Sequence, residues 1–225
     1  MKERRGEKVA RHKGLGCGYC AERMGRRSRY GKFLQTLDEA TRRAVSERTD
    51  VLIERERMYC DRGNYKHLCD IFTAIALYET LQERGMPEPE AFDTLASALY
   101  RSVQPRRELF MRLAKRRWFW PVMKRIVPLG FRLGSGMGWR FTWRKDLPKN
   151  EFCFETNACI YREIFCRRGL DKLGPMFCKC DILTYGELPG IDFVRTGTLC
   201  YGCDRCDFRF VRYEKGEPFT RTESR

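Results

Sequence analysis

Eight of the twelve cysteines fall between Cys153 and Cys206, and polar residues with chemical uses lie among them. The thiols are Cys153, Cys159, Cys166, Cys178, Cys180, Cys200, Cys203 and Cys206; the polar residues are Asn157, Asp181, Arg195, Asp207 and Arg209. Such a segment can supply a thiol nucleophile, a set of metal ligands, or small thiols that pack as hydrophobes. Cys159 stands where a helix is expected to begin, and the positive end of a helix dipole favours the thiolate. It could attack an electrophilic carbon or serve as an acid. Asp181 and Asp207 are candidate general bases, since a partly apolar cleft tunes a carboxylate upward. Arg195 or Arg209 could hold a substrate carboxylate by a two-pronged hydrogen bond. Each has a plainer reading as well: any one cysteine can be a buried core thiol, Asp207 a cap or ion-pair partner, and Arg209 the solvent face of a strand. The two histidines, His12 and His67, fall in a basic terminal segment and in a helix, so a histidine-based triad is not expected.

The spacing Cys200-x2-Cys203-x2-Cys206 is also that of iron–sulfur runs, with Cys178 and Cys180 as further donors and Cys17-x2-Cys20 as a knuckle-like pair. The triple lacks the nearby fourth cysteine and following proline of bacterial ferredoxins. No cofactor is therefore the first expectation. Zinc or an iron–sulfur cluster on Cys200, Cys203 and Cys206 is the alternative.

These residues must be positioned by the elements around them. Leu37–Met58 reads as a charged helix, and Asn64 as the N-cap of a second, in which Leu68, Ile71, Ile75 and Tyr78 share a face up to Gly85. A third places Phe92, Leu95, Leu99 and Val103 in line, making an antiparallel pair over 64–103. Pro105 is expected to open another helix running to about Val127, with Pro121 ending or kinking it. Beyond Gly134-Ser135-Gly136 the period changes to two: Trp139–Trp143 and Phe152–Thr156 form a hairpin signal. Helices follow at Ile160–Gly169 and Leu173–Tyr185, and strands at Ile191–Thr196 and Cys206–Tyr213. The fold class is α+β, with N-terminal helices packed on a C-terminal antiparallel sheet with interposed helices. The two pairs of strands are expected in one sheet, with the helix pair 64–103 on one face. The domain plan is a basic, mobile tail over 1–32, one α+β domain over 33–214 (helical over 33–130, sheet-containing over 131–214) and a frayed tail over 215–225.

The formal net charge of +15 is unevenly placed. Residues 1–32 hold eleven Lys/Arg against three Glu, and residues 101–145 hold thirteen against one, so the rest of the chain is slightly acidic. The second segment interleaves Trp118 and Trp120 with Lys115, Arg116 and Arg117, and peripheral contact with anionic surfaces through 101–145 is one reading. An amphipathic helix with snorkelling Arg stems is the other. No nucleic-acid-binding signature is present, so a nucleic-acid partner is not expected. With neither an apolar export segment nor a run long enough to span a bilayer, the expected compartment is the cytoplasm, where twelve cysteines stay reduced.

The C-terminal block resembles the L-2-amino-thiazoline-4-carboxylic acid hydrolase family. The likeness rests on Asn157-Ala158-Cys159-Ile160-Tyr161, Leu173-Gly174-Pro175, Phe177-Cys178 with Asp181, Phe193-x-Arg195-Thr196, Thr198-Leu199 and Cys206-Asp207-Phe208-Arg209-Phe210; it extends more weakly to Gly63-Asn64. Cys180, Cys200 and Cys203 depart from that pattern. The resemblance implies a hydrolase that opens a small cyclic amidine or thiazoline to an N-carbamoyl-cysteine-like product, without a cofactor. It adds Cys178 and Cys206 to the catalytic candidates Cys159, Asp181 and Asp207, and Asn157 to the substrate-binding candidates Arg195 and Arg209. It further implies that Asn157, Cys159, Cys178, Asp181, Arg195 and Cys206 converge on one pocket. The alternative is a non-enzymatic small-molecule or metal/iron–sulfur sensing module.

Overall fold

A computed structural model describes residues 19–213. Helices α1 (Ala21–Arg27), α2 (Gly31–Leu34), α3 (Glu39–Arg55), α4 (Tyr65–Glu83), α5 (Glu88–Ala114) and α6 (Phe119–Gly134) precede strands β1 (Arg140–Trp143) and β2 (Glu151–Ala158). Helices α7 (Ile160–Arg167) and α8 (Gly174–Tyr185) then separate β2 from β3 (Ile191–Val194) and β4 (Cys206–Arg212). The strands form one antiparallel sheet in the order β1-β2-β4-β3, which makes the protein α+β as expected.

Local chemistry accounts for the helix boundaries. Asp38 caps α3, its carboxylate accepting from the Thr41 N–H at 2.8 Å. The α4–α5 connection closes on Gly85, whose φ of 88° few other residues adopt. The Met86 N–H returns to the Leu81 carbonyl at 3.0 Å and the Gly85 N–H to that of Gln82 at 2.9 Å, which satisfies two carbonyls at the end of α4.

Pro105 does not start a helix but lies inside α5. It is exposed, so the Arg101 carbonyl deprived of its usual partner faces water, which tolerates it. The break comes instead at Lys115–Trp118, and Pro121 sits in the first turn of α6, where a proline has no N–H to forfeit. The expected mobile tail is also corrected in part. Residues 1–18, including Cys17, lie outside the described residues, as do residues 215–225, where a frayed tail is expected. Met24 and Tyr30, which fall within the expected 1–32 tail, are fully buried in the helical core.

The interior divides into two apolar clusters. One joins α1, α3, α4 and most of α5 to α7 and α8, through Leu68, Ile71, Phe72, Ile75, Leu95, Leu99, Ile164, Phe165 and Met176. The other covers the sheet: Phe152, Phe154, Phe208, Phe210 and Ile191 pack against Phe119, Trp120 and Met123 of α6 and the last turns of α5. The helix pair over 64–103 therefore does not lie on the sheet; α6 and the end of α5 do. The cross-strand pair Phe154–Phe208 stacks at 4.5 Å with rings 10° from parallel, which fixes the β2–β4 register on the inner face. On the outer face Glu151 and Glu155 meet Arg209, Arg144 and Arg205 in ion pairs.

Candidate active site

Cys159 lies on the seam, packed against both clusters. It caps α7 with extended backbone (φ −136°, ψ 120°), the helix-start position expected from the sequence. Its thiol does not behave as that position suggests. Desolvation pushes it up to about 12, and the amides of the first turn of α7 only partly oppose this. A dipole end lowers a thiol pKa where solvent can also support the charge; here burial wins.

The thiol shifted the other way is Cys178. The adjacent Cys200 thiol is the largest influence on it; with the nearby Arg195 cation and Thr198 it outweighs burial and Asp181, so Cys178 lies below the ordinary thiol range. Cys200 is pushed the opposite way, above that range, first by its pairing with Cys178 and then by burial. Gly174 makes the pairing sterically feasible. A Cβ built there would stand 2.8 Å from the Cys200 sulfur, so Cys200 occupies the hollow left by the missing side chain. Gly174 and Cys178 are four residues apart on α8 and share a face. Cys200 thus reaches Cys178 because the preceding turn is bare.

Arg195 is almost fully buried. It donates from Nη1 to the Cys178 carbonyl at 3.1 Å and from Nη2 to Asp181 Oδ2 at 2.9 Å, while its guanidinium lies 4.0 Å from the centre of the Phe208 ring. Burial works against its charge, but the Asp181 partner holds its pKa above the ordinary value. Arg195 Nε has no partner among the described residues. Asp181 is more open, with 38% of its side chain exposed.

Cys206 faces the same region. Its sulfur accepts from the Leu199 N–H at 3.2 Å, and burial raises its thiol to about 11. Cys159, Cys178, Cys200 and Cys206 lie within electrostatic reach of one another. Cys180 is not part of the group, since its thiol donates to the Met176 carbonyl within α8.

Three expected site residues belong elsewhere. Asn157 accepts from Thr142 on the outer strand β1. Asp207 accepts from the N–H groups of Thr196 and Gly197 and from the Thr196 hydroxyl; although burial raises its carboxyl, these bonds prevail and leave it below its ordinary value. It is a loop clamp. Arg209 makes a two-pronged pair with Glu151 on the outer face, because alternation along β4 turns Phe208 and Phe210 inward.

The run Cys200, Cys203, Cys206 does not gather into a ligand set. Cys200 turns to Cys178, Cys206 to the Leu199 amide, and Cys203 is exposed and packs beside Gly197. Among the described residues no group of three His, Cys, Asp or Glu side chains is arranged to hold a metal ion.

Asn64 holds the expected N-cap position of α4, but its side chain makes no capping bond there. It is buried in helical backbone, donates to the carbonyls of Tyr59 and Met137, and accepts from the Gly136 N–H and Trp139 Nε1, so it pins the 136–139 loop to the start of α4. His67 is likewise engaged on both ring nitrogens, by the Tyr161 hydroxyl at 3.1 Å and the Gly134 carbonyl at 2.9 Å. The sequence reading did not count Thr198 and Arg162 as site residues. Arg162 donates to the Leu199 carbonyl at 3.1 Å, beside the turn that carries Cys200. Thr198 lay in the family-like block, whereas nothing in the local sequence distinguishes Arg162 from the other surface arginines.

Two cavities are present elsewhere: one of about 250 Å³ between α1, α2 and α3, and one of about 540 Å³ between α6 and β1, neither lined by these thiols. A family model described as L-2-amino-thiazoline-4-carboxylic acid hydrolase matches residues 66–210. That stretch takes in α4 through β4 and every member of the thiol group. No curated protein and no solved structure matches the chain.

Proposed function

Since the chain belongs to the L-2-amino-thiazoline-4-carboxylic acid hydrolase family, we propose that it hydrolyses a small cyclic amidine of the thiazoline-carboxylate type, with Cys178 as the working thiol. The observation that carries this reading is the seating of Cys200 in the hollow of Gly174, one turn before Cys178 on α8, with Arg195 bonded to the Cys178 carbonyl and the Cys178 thiol poised below the ordinary range. A nucleophile and an acid stand side by side, as opening a C–S bond requires.

The Cys178 thiolate adds to the amidine carbon. Bonding to carbon removes the Cys178 thiolate that held the Cys200 thiol up, so as the ring C–S bond breaks its electron pair goes to the departing sulfur, which takes the proton of Cys200. Water then attacks the same carbon, giving its hydroxyl to that carbon and its proton to the Cys200 thiolate, while the bond to Cys178 breaks and its pair returns to the sulfur. The resulting isourea tautomerises to the carbamoyl product. The substrate carboxylate binds Arg195 through Nε and Nη2, displacing Asp181, which becomes free to orient the attacking water. Cys159 and Cys206, whose thiols are held up by burial, line this machinery in protonated form.

Turnover of 2-amino-thiazoline-4-carboxylate and hydantoin-like rings by the purified protein tests the reading. Cys178→Ser is expected to reduce kcat by at least about 100-fold, on the scale of losing a nucleophile, with folding preserved. Arg195→Lys should chiefly raise KM. Equal activity in wild type and Cys178→Ser would remove the thiol mechanism. Ligand binding without turnover across the panel would favour a non-enzymatic sensing module.

A further inference from the structure

Helix α6 carries two apolar stripes, and the fold uses one. Phe119, Trp120, Met123, Val127 and Phe131 turn to the sheet and close its core. Trp118, Val122, Ile126, Leu129 and Leu133 recur at spacings of four, four, three and four, which places them within an arc of roughly 80° on the other side. Ile126, Leu129 and Leu133 are 59%, 53% and 70% exposed, and Trp118 is 50% exposed. An aliphatic stripe of this size on a water-facing helix marks a surface that meets something.

The charge around the stripe identifies its partner. From Leu109 to Lys145 the chain has ten Lys/Arg and no Asp or Glu. Arg125 and Arg132 lie on α6 beside the stripe, Arg116 and Arg117 precede Trp118, and all four are exposed. A second copy of this chain would set cation against cation. Nucleic acid would satisfy the charge but offers nothing to Val122, Ile126, Leu129 and Leu133, which are aliphatic rather than stacking residues. A bilayer with anionic headgroups satisfies both, and Trp118 at one end suits the boundary between headgroup and acyl chain. No helix among the described residues is long and apolar enough to cross a membrane, so the contact lies along the surface.

We propose that α6 is a membrane-docking helix that lies in the surface of a bilayer rich in anionic lipid, with the Trp118–Leu133 stripe inserted and Arg125 and Arg132 at the headgroups. This surface is distinct from the thiol site and does not depend on the proposed reaction.

Flotation with vesicles of phosphatidylcholine alone and with about one-third phosphatidylserine tests it. The protein is expected to float with the anionic vesicles at low salt and to be released by high salt. Trp118 emission should shift to the blue on binding, and Trp118→Phe should remove that shift. Ile126→Ser/Leu129→Ser/Leu133→Ser and, separately, Arg125→Glu/Arg132→Glu should each weaken binding about tenfold or more. Unchanged circular-dichroism melts would show that the variants fold. Absence of flotation at low salt would overturn the proposal. So would flotation unaffected by the triple serine change, or retention on acidic protein or oligonucleotide that the arginine reversals abolish and the serine changes leave intact.

Discussion

At the scale of single residues, the thiols differ because of what surrounds them rather than where they stand in a motif. Cys159 has the helix-start position and is held up by desolvation; Cys178 lies inside a helix and is held down chiefly by a neighbouring thiol. Alkylation by iodoacetamide distinguishes them, in a Cys20→Ser/Cys203→Ser background that removes the thiols exposed among the described residues. A depressed pKa means the thiolate persists to lower pH, so Cys178 labelling should already be rapid below the ordinary thiol range and fall only as pH drops through its own pKa. Cys159, Cys180 and Cys206 should label slowly until far higher pH. Cys200→Ala should move the Cys178 profile upward, because its largest stabilising contact is gone. Gly174→Ala should do the same by a different route. The added methyl meets the Cys200 sulfur at 2.8 Å, and displacing it should cost about 1–3 kcal/mol of stability in a urea titration.

At the scale of elements, two positions show the fold overriding or depending on local preference. Pro105 interrupts α5 without ending it, since the turns on either side are anchored by Val103 in the helical core and by Phe110 and Met111 against the sheet core. Pro105→Ala restores a hydrogen bond on an exposed face and should stabilise the protein by about 1–3 kcal/mol, seen as a higher Tm. Asn64 works in the opposite sense, holding the loop that launches the sheet. Asn64→Ala leaves the Gly136 N–H and Trp139 Nε1 without this acceptor, and a loss of about 2–4 kcal/mol with altered tryptophan emission is expected in denaturant melts. Asn64→Asp keeps the acceptor but forfeits the donors to Tyr59 and Met137, so it should not rescue.

At the scale of the whole molecule, the thiol group occupies a place where both cores contribute. Cys159 touches each cluster, α8 brings Cys178 and Asp181 from the helical side, and Arg195 and Cys206 arrive from the sheet. A site built this way requires the two cores to fold together. Phe154→Ala removes a fully buried ring stacked on Phe208 and should cost about 3–5 kcal/mol. Because α5 and α8 contribute to both clusters, the melt is expected to remain a single transition, with circular dichroism and tryptophan emission coincident. Separate transitions would show that the cores are independent.

The sequence by itself determined the α+β class, the pairing of both strand groups in one sheet and the family, because hydrophobic period and motif order are local and survive without knowledge of packing. It also announced Arg195, Cys178 and Cys206 as a group worth watching. What it could not determine was which core each helix would seal: the 64–103 pair and α6 are both amphipathic, and periodicity gives a face but not its partner. Nor could it separate Asp207 and Arg209 from Asp181 and Arg195. Alternation along β4 and the length of the 196–205 loop turn the first two outward, and only the folded chain fixes that direction. The opposite pKa directions of Cys159 and Cys178 have the same origin. A thiol pKa is set by desolvation and by the polar groups close to it, and for Cys178 those neighbours, Cys200 first among them, come from far along the chain.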